Sequence, residues 1–100
     1  MGTRKPSLPV IFKVFKEGDV IAFFPNQPGT CEWQTCSSYQ HVGQHGAANV
    51  ALIGELRPAK PTEYAPLLRE LRGIYDDCKL IVMRRRTRKH DRERAEALKR

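Results

Sequence analysis

Several absences limit this chain of 100 residues before anything present in it does. No apolar run approaches the roughly 20 residues needed to span a bilayer. The start, MGTRKP, has no apolar core of the kind a secretory signal carries. A cytoplasmic protein with no membrane partner is therefore expected. Cysteine is scarce and odd in number, three in all, at spacings that frame no disulfide scaffold, which agrees with a reducing compartment. No internal repeat is present, which sets aside stacked-repeat architectures. Tryptophan occurs once.

Net charge is missing from most of the chain. Residues 1–78 hold eight Lys/Arg and eight acids, whereas residues 79–100 hold ten Lys/Arg against Asp91, Glu93 and Glu96. The net charge of +7 is thus a property of the C-terminal end, and a partner held by electrostatics is expected there. The 40% hydrophobic and 29% charged content is ordinary for one folded domain and too apolar for whole-chain disorder.

Residues 1–9, with two prolines, a glycine and two basic side chains, read as a flexible lead-in. Residues 10–15 and 20–24 are β-branched and aromatic, and KEGD between them supplies a glycine turn, so the pair predicts a hairpin that Pro25 and Pro28 end. Residues 50–56 read as a third strand with Gly54 at a bulge, and residues 78–83 as a fourth. Between the last two, Tyr64, Leu67, Leu68, Leu71, Ile74 and Tyr75 recur at helical spacing, with Thr62 as N-cap and Pro66 in the first turn. The order is ββ-loop-βαβ. The predicted fold is a single α+β domain over residues 10–83, a small, largely antiparallel sheet with one packed helix. Residues 84–100 form a basic tail, a frayed helix or a disordered end.

The long connection at residues 26–49, with at most a helical turn near 37–45, carries most of the chemistry-bearing side chains. Cys31, Cys36, His41 and His45 form a C-x4-C-x4-H-x3-H array whose thiolates and imidazoles suit a tetrahedral zinc, similar in size to a zinc knuckle but different in ligand order. The alternative is no cofactor, with ordinary thiols and loop histidines. Cys36 with His41 or His45 also fits a thiolate–imidazole pair, a Cys/His-dependent hydrolase, although no acid follows Glu32 in the segment to orient the histidine. Trp33, Tyr39, Gln40, His41, Gln44 and His45 serve equally as a recognition loop. In the tail, Arg84, Arg85, Arg86, Arg88 and Lys89 are suited to nucleic-acid phosphates through counterion release, or to keeping a small protein soluble.

GDVIAFFP at 18–25, SYQHVGQHGA at 38–47 and RPA at 57–59 leading into Thr62-Glu63-Tyr64 give the chain a resemblance to short bacterial proteins encoded on plasmids, phages and other mobile elements. The resemblance spans about residues 10–83 and leaves out the tail. It implies a bacterial cytoplasmic protein from an accessory gene region and carries over no catalytic residue. The resulting expectation is a non-enzymatic accessory binding protein, nucleic-acid-associated through its tail. A zinc-stabilised protein-interaction module and a hydrolase are the alternatives, and a host protein is the other candidate partner.

Overall fold

The structure is a computed structural model and describes residues 5–41 and 43–99. It is an α+β fold built around strand β1 (Ser7–Val14), in which every residue from Leu8 onward is buried. A strand buried along both faces must be covered on both. Val10 and Phe12 join Ala22, Phe24 and Tyr39 on one face, and Ile11 joins Ile21, Phe23 and Cys36 on the other. β1 begins within the expected lead-in, so residues 7–9 belong to the sheet. Pro9 is tolerated there because the β1–β2 ladder covers only residues 11–14 of this strand. Residues 1–4 of the expected lead-in lie outside the described residues.

The predicted hairpin is present. β2 (Val20–Pro28) runs antiparallel to β1 in the register Ile11↔Phe23, and Gly18 makes the turn at φ +100°. β2 does not stop at Pro25. Its ladder with β3 (Thr35–Gln40) shifts between Phe24 and Pro28, and an irregularity of this kind accepts prolines without loss of a ladder bond. β3 continues into an antiparallel pair with β4 (Gln44–Asn49). The stretch whose composition predicts a loop is therefore largely sheet. Its signal is weak because β4, QHGAAN, is an almost fully exposed edge strand with little apolar alternation.

The apolar run expected as a third strand is instead a short helix, α1 (Ala51–Glu55), with Val50 and Ile53 buried one turn apart. A run this short does not distinguish helix from strand. Gly54, expected at a bulge, is helical and exposed. Two-residue β5 (Arg57–Pro58) pairs antiparallel with the end of β1, and β6 (Lys79–Met83) pairs parallel with its first half. The sheet order is β4-β3-β2-β1, with β5 and β6 sharing the remaining edge of β1.

Helix α2 (Pro61–Ile74) lies where the periodicity puts it and buries Leu67, Leu68 and Leu71 against the β1–β2–β3 face. Its cap is Lys60 rather than Thr62: the Glu63 carboxylate accepts the Lys60 N–H at 2.8 Å, and Pro61 occupies the first position. Pro66 therefore sits inside the helix, and Ile74 is 43% exposed rather than core. Residues 88–98, expected to be frayed or disordered, form α3 (Arg88–Leu98), which lies along β2. The described residues thus contain three helices, and both faces of the sheet are covered. Arg100 lies outside the described residues.

Candidate functional site

Two groups of polar side chains warrant consideration, one on each side of the sheet. The first lies where the β3–β4 pair meets α2. Tyr39 projects to the α2 face, where its hydroxyl donates to the Glu70 carboxylate and accepts the Gly43 N–H at 2.9 Å. His41 Nδ1 lies 2.5 Å from the other Glu70 oxygen. His45 sets its ring edge-on to Tyr39, with centroids 4.6 Å apart, and its Nε2 lies 3.1 Å from the Tyr75 hydroxyl. The hydrogen bond to Glu70, followed by burial, holds the Tyr39 phenol above its ordinary pKa, so it stays a donor. Glu70 was not singled out from sequence, and Tyr75 was read only as part of the apolar stripe of the helix. Glu70 comes from α2 and Tyr75 from the cap at its C-terminal end, each about 30 residues away, and only the packing of helix on sheet brings them in.

This geometry separates the expected zinc ligands. Strand alternation points Cys36 to the face opposite Tyr39, where it is fully buried among Ile11, Ile21 and Phe23. His41 and His45 lie on the α2 side and Cys31 is exposed before β3. The four do not converge, and no group of three or more His, Cys, Asp or Glu side chains with metal-holding geometry occurs among the described residues. The Cys36–His pair is divided by the sheet in the same way. Burial pushes the Cys36 thiol up to about 11, the reverse of what a thiolate nucleophile needs. The expected recognition loop is also divided. Tyr39 is buried, whereas Gln40, His41 and Gln44 rim a depression of about 370 Å³ that Asp19 and Glu63 also line, and those two acids disfavour a phosphate there.

The second group lies on the other face. Arg84, Arg85, Arg86, Arg88 and Lys89 are all exposed, on the connector from β6 into the first turn of α3. Arg86 is the only one of the five with an ion pair among the described residues, 3.5 Å from Asp91. The connector is held because α3 is held. Thr87 caps the helix, its hydroxyl accepting the His90 N–H at 3.2 Å while His90 Nδ1 accepts the Thr87 N–H at 3.1 Å. Arg94 is 2% exposed and donates to the Pro25 carbonyl at 2.6 Å and the Trp33 carbonyl at 3.1 Å. Asp91 Oδ1 lies 3.1 Å from Arg94 and 3.5 Å from Arg86 with a hydrogen bond to neither, so Asp91 joins the two arginines by charge alone, and Arg94 goes on to the backbone of Trp33. The Trp33 side chain itself is 71% exposed. The tryptophan and the arginine-rich end, some 50 residues apart in sequence, thus flank one helix. A weak sequence signal for α3 existed: Thr87 as a cap, then His90, Arg94, Ala97 and Leu98 on one helical stripe.

A second depression, of about 260 Å³, is lined by Lys13, by Val50, Ala51, Ile53 and Gly54 around α1, and by Arg84, Arg85 and Arg86. Lys13 was not a sequence candidate, although a lysine inside an otherwise apolar strand is a signal that could have found it. No helix among the described residues is long and apolar enough to cross a membrane. Comparison of the chain with protein-family models, with curated proteins and with solved structures returned no match.

Proposed function

We propose that this protein is a small, non-enzymatic nucleic-acid-binding protein that engages phosphates through Arg84, Arg85, Arg86, Arg88 and Lys89. The observation that carries the reading is the placement of these five exposed cations on a connector anchored at both ends, by β6 and by the docked α3. Anchoring matters because cations on a fixed backbone lose less freedom on meeting a phosphate than cations on a free tail. Arginine adds two-pronged hydrogen bonding to phosphate oxygens. The exposed Trp33 beside α3 supplies a face on which an unpaired base can stack, which favours a single strand. Three thiols without a disulfide partner support a cytoplasmic setting.

The test replaces Arg84, Arg85, Arg88 and Lys89 by Gln and leaves Arg86 to its ion pair with Asp91. Removal of residues 84–100 is not a clean experiment, since it also strips α3 from the sheet. Wild-type affinity for a single-stranded oligonucleotide should fall steeply with salt, and the variant should lose about 0.7 of slope for each phosphate contact removed. Equal affinity and equal slope in the two proteins would exclude this surface.

A further inference from the structure

Lys13 is 7% exposed, next to the last residue of β1, on the face that α1 covers. Among the described residues it makes no side-chain hydrogen bond and no ion pair, and no acid lines the depression it faces. Burial alone pulls its ammonium below the ordinary lysine pKa. Its stem is buried while its ammonium opens onto the depression, and like charges gathered there repel one another until a counter-charge arrives from outside. The other charged groups on the same depression, Arg84, Arg85 and Arg86, are of the same sign, so the protein itself does not supply that counter-charge.

We infer that Lys13, Arg84, Arg85 and Arg86 form a seat for one phosphate group of a bound single-stranded nucleic acid. The inference rests on the function proposed above and deepens it, since it turns a strip of surface cations into one specific subsite. The Lys13 ammonium offers up to three donors as a compact charge at the floor, and the arginines close on the remaining oxygens from the rim. Val50 and Ile53 make the inner wall apolar, which lowers the local dielectric and strengthens each contact. Gly54 leaves the rim open, with nothing within 4 Å of the place a Cβ would take.

Two variants and two probes test this. Lys13→Met keeps the volume and removes the charge, and Gly54→Glu sets a carboxylate at the rim in open space, so that failure of one variant to fold leaves the other. Inorganic phosphate should raise the melting temperature of the wild type and not that of either variant. In phosphate-free buffer Lys13→Met should melt at or above the wild-type temperature, because one of four like charges on the depression has gone. On a single-stranded oligonucleotide each variant should bind several-fold more weakly, and Lys13→Met should show a salt slope shallower by about 0.7. If the wild type binds the oligonucleotide and both variants match it in affinity and slope, the seat is overturned while the surface reading stands. If no oligonucleotide binds but phosphate still stabilises the wild type alone, the nucleic-acid reading fails and the phosphate seat remains. Absence of any phosphate-dependent shift together with unchanged oligonucleotide binding rejects the seat outright.

Discussion

The guanidinium of Arg94 donates to the backbone carbonyl of Pro25 across 2.6 Å, joining two residues 69 positions apart in sequence. The bulge that β2 makes between Phe24 and Pro28 frees that carbonyl from the ladder with β3, and the docked α3 supplies the donor. A second bond to the Trp33 carbonyl at 3.1 Å and a charge contact with Asp91 at 3.1 Å complete the arrangement. Arg94 is therefore the main polar fastening of α3 to the sheet, with a weaker bond from Asn26 to Glu93 at 3.4 Å beside it.

Arg94→Ala should cost about 3–5 kcal/mol, because it orphans two carbonyls and leaves Asp91 without its nearer cation. For a domain of this size that corresponds to a fall in melting temperature of more than about 12 °C. Arg94→Lys should recover only part of it, since one ammonium does not span both carbonyls as a planar fork does. Denaturant unfolding and limited proteolysis at residues 84–99 check both. Melting of the Ala variant within about 2 °C of the wild type would mean that α3 is held otherwise.

His90 makes docking of α3 sensitive to acid. Its Nδ1 accepts the Thr87 N–H, which requires the neutral ring, and burial above all lowers its pKa from the ordinary 6.5. The unfolded chain therefore takes up this proton at higher pH than the folded one. The His90 contribution is complete above about 6.5 and declines as pH falls from there through the lowered folded value. Amide exchange in α3 should quicken as pH drops through that window, once corrected for intrinsic rates. His90→Gln keeps an acceptor for Thr87 and should flatten the dependence.

The cysteines should separate by reactivity. Cys31 is exposed, whereas Cys36 is buried with its thiol pushed up to about 11. Iodoacetamide at pH 8 should label Cys31 within minutes and leave Cys36 untouched until denaturant is added, with Cys78, half-buried and with a raised pKa, between them. Peptide mass mapping gives the order. Early labelling of Cys36 would contradict its burial.

Two glycines should respond in opposite ways to alanine. A Cβ on Gly29 would meet the Cys36 carbonyl oxygen at 2.5 Å and the Ala47 side chain at 2.7 Å, so the sheet must shift to admit it. Gly29→Ala should lose roughly 1–3 kcal/mol, as overpacking does. Gly73 in α2 has nothing within 4 Å, and Gly73→Ala should gain up to about 1 kcal/mol from helix propensity. Urea midpoints of the two variants should fall on opposite sides of the wild type.

The sequence by itself determined the elements whose burial pattern is local and repeating. The β1–β2 hairpin follows from alternating Val, Ile and Phe with Gly18 between them, and α2 follows from Leu67, Leu68 and Leu71 at helical spacing. It also located the excess charge at the C-terminal end. Tertiary structure decided the rest, because those features depend on partners far away in the chain. β4 exists by pairing with β3 along an exposed edge, which leaves no apolar alternation in QHGAAN. Residues 51–55, within the expected third strand, become a helix because Val50 and Ile53 must cover Ile11, Ile21 and Phe23 from above the sheet. α3 forms because a bulge on β2 offers Arg94 an unpaired carbonyl. The alternation of a strand sends Cys36 and Tyr39 to opposite faces, which divides a ligand array that looks continuous in one dimension. Lys13 lies beside Arg84–Arg86 because the short β5 and helix α1 fold back over the end of β1, a proximity that no spacing in the sequence encodes.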